Sequence, residues 1–228
     1  ALPIPVIALN QPEPQIHQAI AKASWTTFSL APEDEASQIA DEAFGDQCRN
    51  AIVMASPNDR GLRLLKAFEA QWAHHGGTLR GKLVVEQQTD ANKAMGELLG
   101  SGSSDQRIQS VEQAFDIPVD GRGRGRSDFE CIFMLAPDPV TARSWRPLLV
   151  FHMIGEVPIY ATSAINDGVI NTRNRDLNGV VFLETPAMLP PSPAGRLVRL
   201  LSLGRDSRVM SQHWQQALTT ENWIIKGQ

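Results

Sequence analysis

Short, continuous apolar runs alternate with stretches of helical period along this chain, and that alternation most narrows what it can fold into. Ala51-Ile52-Val53-Met54-Ala55 has no polar residue at any position. A strand of that kind can turn neither face to water, which is the mark of a parallel sheet covered on both sides. The run ends in the turn and helix-start cluster Ser56-Pro57-Asn58-Asp59. The helix that follows, to His75, carries Leu65, Phe68 and Trp72 on one face, and Gly76-Gly77 closes it. The same pattern predicts strands at Val6–Leu9, Trp25–Leu30, Lys82–Gln88, Phe129–Leu135, Val157–Thr162 and Gly179–Leu183. It predicts helices at Pro32–Phe44, Ala91–Leu99, Gln106–Phe115, Pro139–Phe151 and from Ser192 to about Leu218. Pro32 suits the first helical position, and Glu33, Asp34 and Glu35 suit the positive end of the helix dipole. Asp138 is an N-cap ahead of Pro139, and Pro147 is expected to kink or shorten its helix. Gly100–Ser104 reads as a flexible stretch. Strands alternating with helices in this order predict an α/β fold with a doubly wound parallel sheet and right-handed crossovers.

Composition removes several classes of function. The 228 residues hold 21 basic and 25 acidic side chains, a net charge of −4, so no dominant nucleic-acid surface is expected. No run of 18 apolar residues exists to span a membrane. Both ends, Leu2–Asn10 and Trp223–Gln228, are apolar and strand-like. Domains rarely begin or end inside core elements, so the sequence is expected to be a piece of a longer protein. Two cysteines are too few for a disulfide-built scaffold or a four-ligand zinc site. Counted along extended strands, Cys48 and Cys131 differ in register by three residues, about 10 Å. Two free thiols are therefore expected, unless the chain turns.

The chemistry available to the loops is modest. In such sheets ligands bind at the carboxyl ends of strands. Three of those ends carry small polar residues: Ser56-Pro57-Asn58, Ala136-Pro137-Asp138 and Thr162-Ser163. They could hold an anion or a polar group, or serve simply as helix caps. No nucleophile elbow or P-loop is present, and Gly121–Gly125, with arginines between its glycines, precedes a strand rather than a helix. Arg122, Arg124 and Arg126 read as a solvated basic loop. His17, His74, His75, His152 and His213 are scattered, so no metal site and no cofactor are expected. Asp206, inside the last helix, reads as structural.

Several strings occur together and in order: Ile7-Ala8-Leu9-Asn10-Gln11-Pro12-Glu13, Phe28-Ser29-Leu30-Ala31-Pro32-Glu33-Asp34-Glu35-Ala36, Pro158-Ile159-Tyr160-Ala161-Thr162-Ser163, Asp176-Leu177-Asn178-Gly179-Val180, Glu184-Thr185-Pro186 and Leu203-Gly204-Arg205-Asp206-Ser207. In these the chain resembles the C-terminal domain of the LppC/LpoA-type outer-membrane lipoproteins, the penicillin-binding protein activators. The resemblance covers nearly the whole sequence. It implies a type I periplasmic-binding-protein fold of two lobes around a cleft, with lobe 1 incomplete in this chain. Residues 1–31 and 187–228 would belong to lobe 1 and residues 32–186 to lobe 2. It implies a non-enzymatic regulator on the periplasmic side of the outer membrane, held there by an N-terminal lipid of the parent protein. Its partner would be a class A penicillin-binding protein, the synthase that builds peptidoglycan. On that fold Asn10, Ser29, Ser56, Asn58, Asp138, Thr162 and Ser163 are the expected cleft residues. The other readings are a small-molecule receptor of the amino-acid or muropeptide type, using the same cleft, and an enzyme on a doubly wound sheet, for which no nucleophile–base set is visible.

Overall fold

The computed structural model describes residues 6–9, 25–86, 90–116, 118, 125–152, 154, 156–189 and 191–213. The chain divides into two compact units, residues 32–184 and residues 1–31 with 185–228. In the larger unit five parallel strands lie in the order β4-β3-β5-β6-β7: β3 is Asn50–Ala55, β4 Thr78–Val84, β5 Cys131–Leu135, β6 Ile159–Ala161 and β7 Val180–Phe182. Helix α1 (Pro32–Gly45) leads into β3, and helices α2 (Asp59–His74), α3 (Ala91–Leu99), α4 (Ser101–Phe115) and α5 (Pro139–Phe151) connect β3 through β6. The smaller unit pairs β1 (Val6–Ala8) with β2 (Trp25–Thr27) in parallel and contributes α6 (Leu197–Gln212).

Successive residues of a strand face opposite sides of its sheet, so each central strand splits its apolar residues between two cores. On one side Ala51, Val53, Ala55, Cys131, Phe133, Leu135 and Tyr160 meet α1 and α2. Helix α1 presents Ala36, Ile39, Ala40 and Ala43, at the spacing of one helical face, and α2 presents Leu64, Leu65, Phe68 and Trp72. Phe133 is the hub there, with ring centroids 4.2 Å from Phe68, 5.3 Å from Trp72 and 5.6 Å from Tyr160. On the other side Ile52, Met54, Ile132, Met134, Ile159 and Ala161 meet Met95 and Leu99 of α3 and Ala142, Trp145 and Leu149 of α5.

The two cysteines are joined, contrary to the expectation of free thiols: Cys48 and Cys131 form a disulfide with their Cα atoms 6.1 Å apart. The register count was sound, since Ala51 pairs with Cys131. The extended geometry was not. Gln47 adopts φ 69°, and the Cys48 N–H donates back to the Ala43 carbonyl at 3.0 Å, so the chain reverses before β3 begins. Arg49 holds the reversal, donating to the carbonyls of Phe44 (2.6 Å) and Cys48 (2.8 Å). Across the junction the Glu130 carboxylate accepts from the backbone N–H groups of Arg49 (2.6 Å) and Asn50 (3.0 Å).

Other differences are local. The fourth strand starts at Thr78, not Lys82, because the chain extends straight after the Gly76-Gly77 stop. Gly100–Ser104 is not a flexible stretch: Gly100, in the left-handed region at φ 68°, turns the chain, and α4 begins at Ser101. Helix α5 has the predicted range, Pro139–Phe151, and Pro147 stands inside it without shortening it. Arg126 is half-exposed but not a free loop side chain. It binds Asp128 with two N–H groups (2.9 and 2.7 Å) and donates to the Arg80 carbonyl (2.8 Å). Arg122, Arg124, His17, the strand-like end at Trp223–Gln228 and the part of the last helix expected beyond residue 213 lie outside the described residues.

Two outcomes follow from the junction. The disulfide closes a loop of 83 residues, so its reduction, or Cys48→Ser with Cys131→Ser, is expected to lower stability by about 2–4 kcal/mol, read by urea unfolding with and without reductant. The Glu130 pKa lies below the ordinary glutamate value, chiefly because the Arg49 and then the Asn50 backbone N–H groups donate to its carboxylate. A carboxyl whose folded pKa is depressed stabilises fully above its unfolded pKa and loses that contribution as pH falls through the folded value. Glu130→Gln should therefore be less stable than the parent at neutral pH, with the gap closing in acid; unfolding curves over that pH range check it.

Candidate functional site: the carboxyl edge of the sheet

Strands β3, β5 and β6 are neighbours, so the residues just past them lie side by side at one edge of the sheet. Those residues are Ser56 with Asn58, Asp138, and Thr162 with Ser163. Asn58 and Asp138 are engaged as helix caps. Asn58 Oδ1 accepts from the Gly61 N–H at 2.7 Å at the start of α2. Asp138 accepts from the Thr141 N–H (2.8 Å) and Thr141 hydroxyl (3.0 Å) at the start of α5. Ser56 and Thr162 are buried, and neither hydroxyl has a hydrogen-bond partner among the described residues. Ser56 lies under the first turn of α2, where a Cβ on Gly61 would collide with its carbonyl oxygen and hydroxyl. Only glycine lets the helix approach this closely.

Ser163 opens a 3₁₀ turn, Ser163–Ile165, after β6. Its backbone N–H donates to Glu35 Oε2 at 2.9 Å and its hydroxyl to Glu35 Oε1 at 2.8 Å. The carboxylate reaches it from the first turn of α1, 128 residues away in sequence. A pair of donors of the kind that would hold a ligand anion is thus occupied by the chain's own carboxylate. Sequence reading missed Glu35 in this role. It counted the residue with Glu33 and Asp34 as acids suited to a helix N-terminus, and nothing in the local pattern distinguishes it from them. Ser29 is half-buried just past β2 in the smaller unit, and Asn10 lies outside the described residues.

Further polar contacts lie away from this edge. Tyr160 Oη donates to Asp46 Oδ2 at 2.8 Å, and burial, then that bond to a carboxylate, pushes the phenol pKa up. His152 is buried, with Nε2 3.0 Å from the Asn92 carbonyl oxygen and Nδ1 2.7 Å from Ser101 Oγ. A carbonyl only accepts, so Nε2 carries a proton and donates to it. The imidazole packs against Gly96, where a Cβ would stand 3.0 Å from its Cε1. It ties α3, α4 and the end of α5 together as a packing element. Among the described residues no group of three or more His, Cys, Asp or Glu side chains could hold a metal ion, and no helix is long and apolar enough to cross a membrane.

A parallel sheet with helices on both faces and polar residues gathered at its carboxyl edge defines a doubly wound α/β domain, here of the periplasmic-binding-protein-like class. The protein described as "a putative branched-chain amino acid ABC transporter" from Chromobacterium violaceum shares this fold, with a TM-score of 0.57 at 23% identity over 90% of this chain and 60% of its own. The C-domain of LpoA from Haemophilus influenzae, described as a regulator of PBP1A, aligns with a TM-score of 0.65 at 18% identity over 97% of this chain and 71% of its own.

The family model "LppC putative lipoprotein" matches residues 1–218, and the chain belongs to that lipoprotein family. Curated relatives include the penicillin-binding protein activators LpoA of Photobacterium profundum, 24% identical over 98% of this chain, and of Vibrio vulnificus, 25% identical over 99%. The chain spans 38% and 39% of the lengths of those two relatives.

The Glu35 contact makes a prediction. Glu35→Ala removes the acceptor for two donors at Ser163 and should cost about 1–3 kcal/mol in thermal or urea unfolding. The parent, titrated calorimetrically with free amino acids, should give no heat of binding assignable to the Ser163 donors.

Proposed function

We propose that this chain is part of a non-enzymatic regulator, an outer-membrane lipoprotein that acts on the periplasmic side. It docks on a class A penicillin-binding protein and stimulates peptidoglycan synthesis. One observation carries the reading: nearly the whole chain falls within the LppC family, and its curated relatives are named penicillin-binding protein activators. The Cys48–Cys131 disulfide supports it, because disulfides persist in oxidising compartments such as the periplasm. Membrane attachment would come from a lipid on the parent protein. Residues 1–31 with 187–228, and residues 32–186, would be its two lobes.

A receptor for free amino acids or muropeptides is not favoured, because the Ser163 donors that would meet a ligand carboxylate are taken by Glu35. An enzyme is disfavoured by the edge itself, where Asn58 and Asp138 are spent as helix caps.

The test is glycan polymerisation by the cognate synthase, with and without the full-length protein. Faster polymerisation together with direct binding is expected. Neither stimulation nor binding would overturn the proposal.

A further inference from the structure

Beside β7, the outermost strand of the five-stranded sheet, lies a cleft of about 280 Å³. That is near the lower end of ligand pockets, which run roughly 300–1,000 Å³, and suits a single small ring. Its apolar lining comes from Ile165, Leu177 and Val180, of which Ile165 is buried. Three carboxamides, those of Asn166, Asn174 and Asn178, complete the wall with the half-exposed ring of Phe182. None of the lining residues is charged.

Two of the carboxamides are held in one orientation. Arg143 Nη1 donates to Asn174 Oδ1 at 2.7 Å. Asn166 Oδ1 accepts from the Gly168 N–H at 2.9 Å, and its Nδ2 donates to Glu184 Oε2 at 2.8 Å. Arginine and a backbone N–H only donate, so the oxygen and nitrogen ends of both amides are settled. The committed oxygen of Asn174 leaves its N–H₂ group as the free end. Asn178 is exposed, with no side-chain hydrogen bond among the described residues. Next to it stands Gly179, at φ 83°, beside open space in which a Cβ would meet nothing within 4 Å.

Neutral donors and acceptors set round an apolar wall, with one aromatic ring at the side, match a neutral ligand that is itself an amide with a methyl group and a C–H face. We propose that this cleft binds an N-acetylated sugar unit of a glycan. The acetamido methyl rests on Ile165, Leu177 and Val180. The acetamido N–H and C=O exchange hydrogen bonds with Asn174 and Asn178. The sugar's C–H face lies on the Phe182 ring. The choice of a glycan rests on the proposed function, and the cleft would let the regulator hold the polymer its synthase makes.

The test uses the ¹⁵N-labelled chain without any synthase, titrated with a β-1,4-linked N-acetylglucosamine oligomer and with a cello-oligosaccharide of equal length that lacks acetamido groups. Saturable amide shifts confined to residues 165–182, with the N-acetylated oligomer alone, are expected. Asn178→Ala, at an exposed position with no internal bond to lose, should weaken binding about tenfold, and Phe182→Ala should weaken it too. Absence of shifts, shifts elsewhere, equal binding of the cello-oligosaccharide, or full affinity in Asn178→Ala would overturn the proposal. A silent cleft leaves the synthase reading standing. Lack of stimulation in the polymerisation assay leaves a cleft that binds sugar standing.

Discussion

Everything in the larger unit depends on β3 and β5 being buried on both faces. Ile52, Val53, Met54, Ile132, Phe133 and Met134 are all inaccessible to solvent. A strand in that position cannot satisfy its side chains from one layer, so helices must cover both sides of the sheet. The two apolar cores, each meeting different helices, are the consequence. The cores hold the carboxyl ends of three strands in line, and that line is the polar edge. The parallel direction matters as much as the burial, because it brings Ser56, Asp138 and Thr162 to the same end.

At the opposite, amino-terminal end the same strands are locked by a second set of contacts. The reversal at Gln47, the Cys48–Cys131 disulfide and the Glu130 carboxylate all act on the first residues of β3 and β5. One end of the sheet is thus cross-linked covalently and by charge-assisted hydrogen bonds. The other carries caps and the Glu35–Ser163 contact. That contact occupies the Ser163 backbone N–H and hydroxyl, two donors at the strand end, with a carboxylate of the chain itself.

Much of the fold was legible because its signals are local. Pro32 with the acids after it, the caps Asn58 and Asp138 and the Gly76-Gly77 stop each act within a few residues, and each stands where the pattern put it. The errors arose where a distant contact overrides a local tendency. Gly100–Ser104 has loop-like composition, yet Ser101 is held in a helix and its hydroxyl bonds to His152, 51 residues on. Arg126 sits in a basic, glycine-rich string, yet two of its N–H groups are spent on Asp128. The strand-end residues of the site were legible by position, but their engagement was not. Glu35, and the carboxamides beside β7, gave no local sign at all.

The amino-acid sequence by itself determined the α/β class, the direction of the sheet and the placing of most elements, because apolar periodicity, caps and helix stops are properties of neighbouring residues. Its ordered strings also carried the resemblance to a lipoprotein family. Tertiary structure alone decided that Cys48 meets Cys131, that Glu35 answers Ser163 and that Asn166, Asn174 and Asn178 share one cleft with Phe182. The first two pairs stand 83 and 128 residues apart in the chain. They come within bonding distance only when parallel pairing and helix packing have folded the intervening chain away, and no pattern among adjacent residues encodes that distance.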